Sequence, residues 1–313
     1  MRTNRASENE ELEGILEANP FLGAIAKWEE DLCRFHKGEK QLAELSFVLE
    51  SDKGRVADYQ SHVAKRTASW DSFLHPEVLP QPFIGDPRAP VWFLLLNPGY
   101  SFPDRYDHLG VCSFCERKLI EGCKSLECTF ERGRDRVKSL KQRQQLLLNQ
   151  LLLRENSSFY MLDESFNTLP DDATFKKKGG YNWWRTVLFG ASNPKGFLLH
   201  ECGVKQDPIA VGKKIFVLEC APYHSQNFNK KVLWKESGYT KFWISLISWA
   251  VKTNRKFIVR SERIADLLKQ YGLQVGETNS LRFSSDRNVS MTKRNLKGQA
   301  AVMDAVCGAL SGN

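Results

Sequence analysis

The residues best suited to chemistry stand where long apolar runs stop. Val91 to Leu96 (VWFLLL) is an unbroken apolar run, and Asn97, Pro98 and Gly99 end it. Six such residues suit a strand buried on both faces, and the turn that follows presents the Asn97 amide at the strand's carboxyl end. In an open parallel sheet that edge is where ligands bind. The same tripeptide also reads as an ordinary turn after a buried strand. A second run, Lys213 to Cys220 (KKIFVLEC), is broken near its end only by Glu219 and leads into Ala221-Pro222-Tyr223-His224-Ser225. A carboxyl inside an apolar run asks for a partner, either a ligand or a nearby basic side chain such as His224.

Four of the chain's eight cysteines, Cys112, Cys115, Cys123 and Cys128, follow in the pattern C-x2-C-x7-C-x4-C. Loops this short let four thiolates reach one ion, which predicts a structural tetrahedral zinc, with an iron–sulfur cluster as second choice. His108 could replace one cysteine, and unmetallated thiols are the alternative. A disulfide framework is not expected in an intracellular chain.

Lysine and arginine outnumber aspartate and glutamate by 45 to 37, a formal net charge of +8. That excess favours a polyanionic partner. Arg132, Arg134, Arg136, Lys138, Lys141 and Arg143 crowd one segment against Glu131 and Asp135, and smaller clusters lie at Lys176 to Lys178 and at Lys293, Arg294 and Lys297. A basic stripe along nucleic acid and a solvated helix face both fit. The first residues hold no apolar h-region, and the cluster from Phe242 to Val251 is too short and interrupted to span a bilayer, so a soluble, cytoplasmic chain is expected; a monomer is expected separately.

These residues need a frame to hold them. Residues 1 to 10 read as a disordered tail, and 11 to 79 as a helical extension in which Leu12, Ile15, Leu16, Phe21, Ile25, Trp28, Leu32 and Phe35 recur at three- and four-residue steps. A proline-rich entry from His75 to Pro82 leads in extended form to the first strand. Residues 80 to 313 form the main domain, interrupted by a cysteine-rich insertion at 105 to 138. Helices are predicted at Ser139 to Leu153, around Trp183 to Leu188, at Thr240 to Thr253, at Glu262 to Tyr271 behind a Ser261 cap, and at Gly298 to Leu310. Lys256 to Arg260 and Leu281 to Ser284 supply a third and a fourth strand. The alternation predicts an α/β fold, a three-layer α/β/α sandwich on a central, mostly parallel sheet of about four strands.

Three strand-end motifs in this order resemble the uracil-DNA glycosylase superfamily. LLLNPGYS is similar to its first motif, G-x-[ND]-P-[GY], in the asparagine form of the mismatch-specific and single-strand-selective members. FVLECAPY resembles the middle strand, with Glu219 where asparagine is usual. Asn288-Val289-Ser290 resembles the closing H-P-S or N-P-S loop without its central proline. The resemblance covers Pro80 to the end and leaves the N-terminal helices and the cysteine insertion outside it.

The resemblance implies a base-flipping DNA glycosylase that needs no cofactor for catalysis. Asn97 would orient water near C1′, yet an amide is no strong base, which implies slow turnover or help from Asp104 or Glu219. Asn288 and Ser290 would hold the departing base or its flanking phosphate. His224 would donate to the base's O2 or cap a loop. Met291, Lys293 and Arg294 would press into the duplex, and Arg132, Arg134 and Arg136 would lie along the DNA. Tyr100, Phe102 and Tyr223 are the candidates to stack on the everted base. Uracil-specific members carry tyrosine where this chain has Gly99, which leaves room beside C5 of a pyrimidine. Glu219 suits the N4 amino group of cytosine better than the O4 of uracil. The expected substrate is therefore a C5-modified cytosine, hydroxymethylated or glucosylated as in bacteriophage DNA, and the expected role anti-phage defence. Uracil or mispair repair, and a non-catalytic DNA-binding protein on the same fold, are the alternatives.

Overall fold

The computed structural model describes residues 2–65, 73–96, 98–99, 109, 134–153, 157, 159–162, 180–190, 195–204, 207–225, 237–284, 290–292 and 294–311. The described chain is an α/β fold built on one mixed six-stranded sheet. Its strands are β1 (Phe83–Ile84), β2 (Val91–Leu95), β3 (Ile215–Glu219), β4 (Lys256–Val259), β5 (Ser280–Phe283) and β6 (Leu296–Lys297), in the spatial order β1-β3-β2-β4-β5-β6. The neighbours among β3, β2, β4 and β5 pair in parallel, while β1 and β6 add short antiparallel edges. All five residues of β2 and all five of β3 are buried, the property that makes each read as a continuous apolar run.

This order creates a switch point. The chain leaves β2 for β3 on one side, then returns to place β4 on the other, so the crevice between β2 and β4 opens at their carboxyl ends. Ligands of open α/β sheets bind at such a position.

Ten helices lie among the described residues: α1 (Arg2–Glu17), α2 (Leu22–His36), α3 (Lys53–Ala64), α4 (Arg134–Leu151), α5 (Gly180–Phe189), α6 (Leu198–Glu201), α7 (Pro208–Gly212), α8 (Gly238–Lys252), α9 (Glu262–Gln270) and α10 (Ala300–Ser311). Successive β2 side chains point to opposite faces, and aromatic rings fill both. Trp92 meets Phe216 at 4.6 Å, Phe257 at 6.1 Å and Trp249 of α8 at 6.2 Å. Phe93 meets Trp184 of α5 at 5.8 Å, edge to face, and Trp184 in turn meets Phe159. Ser261 caps α9 by accepting from the Arg263 N–H, the role its position predicts.

The N-terminal helices belong to the same core. Phe21 packs on Phe83 and Tyr239, Trp28 packs on Phe47, and the Trp249 indole donates to the Glu8 carbonyl at 2.9 Å. Helix α1 already runs from Arg2, where residues 1 to 10 read as a disordered tail. The expectation against a disulfide framework concerns Cys112 to Cys128, which lie outside the described residues. Elsewhere, Cys202, just after α6, and Cys307 of α10 are joined, with Cα atoms 5.2 Å apart. Among the described residues no helix is long and apolar enough to cross a membrane.

Candidate functional site

Two of the three strand-end motifs meet at the carboxyl edge of the sheet. Register pairs Leu95 of β2 with Glu219 of β3. Beyond that pair the exit loops stay bonded: Cys220 N–H donates to the Leu95 carbonyl at 2.8 Å, Ala221 N–H to Leu96 at 2.9 Å, and Ser225 N–H to Pro98 at 3.4 Å. His224 adds a side-chain tie, its Nδ1 lying 2.7 Å from the Gly99 carbonyl. A carbonyl only accepts, so Nδ1 carries the proton in this contact. Pro98 and Gly99 are thereby fixed beside residues 220 to 225.

Glu219 closes β3. Its N–H donates to the Pro82 carbonyl, and its own carbonyl accepts from the Tyr239 hydroxyl. Pairing with Leu95 gives its side chain the face that carries Phe93. The side chain is 4 % exposed, and among the described residues Oε2 has no hydrogen-bond partner. Burial without a counter-charge raises its pKa well above the ordinary carboxylate range. The pairing with His224 considered from sequence is not formed among the described contacts, because the imidazole turns to the backbone.

His224 is itself buried. Desolvation pulls its pKa down to about 4, against the opposing pull of the Gly99 and Leu79 backbone groups, while His75 adds a repulsive contribution. The ring is neutral at neutral pH, suited to holding a loop.

Tyr223 occupies a different environment from the one expected. A stacking partner for an everted base needs an open face, yet Tyr223 is buried in a small core with Val48, Val56, Tyr59, Val63, Leu74 and Ala221. Its hydroxyl donates to Asp52 Oδ2 at 2.8 Å and accepts from the Leu49 N–H at 3.1 Å. We therefore correct its assignment from stacking to anchoring. Asp52 is fully buried, and burial raises its pKa while hydrogen bonds from Tyr223 and Ser51 pull it back. Nothing in the sequence pointed to this pair, which spans 171 positions, because Asp52 reads only as a residue preceding α3. Removing the hydroxyl in Tyr223→Phe leaves a buried carboxyl and a buried N–H short of a partner. Denaturant unfolding is expected to show a loss of about 1–3 kcal/mol with an unchanged slope. An unchanged midpoint would contradict the anchor.

The remaining candidates divide sharply. Gly99 is exposed, and a Cβ built on it meets nothing within 4 Å. Ser290 is half-buried, its carbonyl held by the Asn295 side chain at 2.9 Å. Met291, expected to press into the duplex, is fully buried: its N–H donates to Val187 of α5 and its carbonyl accepts from Leu198. It is a core residue, and its role as a wedge is withdrawn. Arg294 is exposed, and Arg134 and Arg136 fall in the first turn of α4. Asn97, Tyr100, Arg132, Asn288 and Lys293 lie outside the described residues.

The expected zinc, and the iron–sulfur cluster behind it, are also corrected. Among the described residues no group of three or more His, Cys, Asp or Glu side chains can hold a metal ion. Cys112, Cys115, Cys123 and Cys128, on which that expectation rested, lie outside the described residues. No protein-family profile, curated protein or solved structure matches the chain, so the site stands on its own geometry.

Proposed function

We propose that the chain is a DNA glycosylase which everts a C5-modified cytosine, hydroxymethylated or glucosylated, and hydrolyses its N-glycosidic bond to leave an abasic site. The fold is then the three-layer α/β/α sandwich of the glycosylases that the strand-end motifs resemble, working as a cytoplasmic monomer on phage DNA. One observation carries the reading. The exit loops of β2 and β3, bearing the N-P-G and A-P-Y-H-S motifs, are bonded to each other over the carboxyl edge beside the switch point, with the buried Glu219 carboxyl at their root.

Each part has a chemical use. Eversion brings the base out of the stack and against protein groups that read its edge. The open space over Gly99 accepts a substituent on C5. A buried carboxyl whose Oε2 has no partner among the described residues suits the cytosine edge, which offers it an amino donor. Asn97 orients the attacking water, and the surplus of positive charge draws the chain to DNA. Incubation with duplexes carrying uracil, cytosine, hydroxymethylcytosine or its glucosylated form, followed by alkali, tests the reading. Strand cleavage at the modified cytosines and none at cytosine is expected. Intact strands in every duplex would end the glycosylase reading.

A further inference from the structure

Glu219 is the one residue of the β2 and β3 pair whose side chain is both ionisable and buried, and it ends its strand at the edge where ligands of such sheets bind. Among the described residues its Oε2 has no hydrogen-bond partner, and no cation pairs with it. A carboxylate in that position would have one oxygen shut off from solvent and no counter-charge among the described residues. The titratable groups that sense it are Cys220, on its own strand's exit, and Tyr239 of α8; both have pKa values pushed up, first by burial, and both are neutral. From β2 it shares its face with Leu95 and Phe93, and on the β1 side its backbone meets Pro82; none of these can supply charge.

Resting on the glycosylase reading, we infer that Glu219 receives the everted cytosine as a carboxylic acid and gives its proton to the ring nitrogen N3. The O–H bond breaks and an N3–H bond forms, leaving a carboxylate that accepts from N3–H and from the N4 amino group together. The C1′–N1 bond then breaks with its electron pair going to N1, so the base departs neutral instead of as an anion. Water adds to C1′ and loses one proton to solvent. Once the base has left, the carboxylate, again without a partner, takes a proton back from solvent.

Three measurements test this. Glutamine at 219 keeps a donor for N3 and an acceptor for N4 but has no proton to give. Glu219→Gln should therefore bind the substrate duplex as the wild type does, yet excise the base at least about 100-fold more slowly in single turnover. A duplex whose target base has carbon in place of N3 should resist the wild-type chain to a similar degree, a comparison that needs no variant. Infrared difference spectra of wild type against Glu219→Gln at neutral pH should show a protonated carboxyl band. Equal excision by the variant, excision of the carbon analogue at the normal rate, or carboxylate bands in place of the acid band would each overturn proton delivery while leaving the glycosylase reading intact. If the wild type releases no base from any duplex, both fall together.

Discussion

Acidifying the folded chain from pH 6.5 to pH 4 is expected to remove about 3 kcal/mol of stability through His224 alone. The unfolded imidazole takes up a proton near pH 6.5, whereas the folded one, buried against the Gly99 carbonyl, refuses it until about pH 4. Across that window the unfolded state binds more protons, so stability rises with pH and is lost as pH falls. Carboxylates titrate in the same range, and His75 and Glu77 act on the ring from the neighbouring segment. The informative quantity is therefore the difference between wild type and His224→Gln in unfolding free energy, followed across the range. That difference should change by about 3 kcal/mol between pH 7 and pH 4. A difference independent of pH would mean that the ring is charged or solvated in the folded chain. The bond to the Gly99 carbonyl favours the charged ring, so acid acts against the burial of the imidazole and not against that bond.

Glu219 should impose the opposite slope. Its folded pKa is raised, so above about pH 4.5 the unfolded carboxyl loses a proton that the folded one keeps. Here the folded state binds more protons, and stability falls by roughly 1.4 kcal/mol per pH unit until the buried group itself ionises. Glu219→Gln mimics the neutral acid and removes that loss. The variant is expected to be more stable than wild type at pH 8, with the gap closing as pH falls toward 4.5. A residue that weakens the fold at neutral pH is typical of a site that serves chemistry instead of packing. A wild type as stable as the variant at pH 8 would show that the carboxyl is satisfied in the folded chain.

Sequence carried the sheet well because β2, β3 and β4 are apolar runs ended by turn residues, and a strand buried on both faces leaves that imprint. The edge strands β1 and β6 were not legible. Two residues each are too few to show a period, and both owe their pairing to the strand beside them. The site was legible in part. Glu219 announced itself as an acid in an apolar run, whereas the contact of His224 with the Gly99 carbonyl appears only once the register of the parallel strands is known. Tyr223 and Met291 misled for a shared reason: both are amphipathic or flexible side chains next to motif residues, and only the packing shows that they point into a core. The Asp52 anchor had no local signature. A hydrogen bond between two buried groups far apart in sequence is a property of the tertiary fold.

The most direct measurement is mass spectrometry of the small molecules released when the chain acts on a duplex carrying one glucosylated hydroxymethylcytosine. The free modified base should appear in equal amount to abasic sites, with both strands unbroken before alkali treatment. DNA that is bound yet yields no free base would contradict the glycosylase and leave only a binding protein.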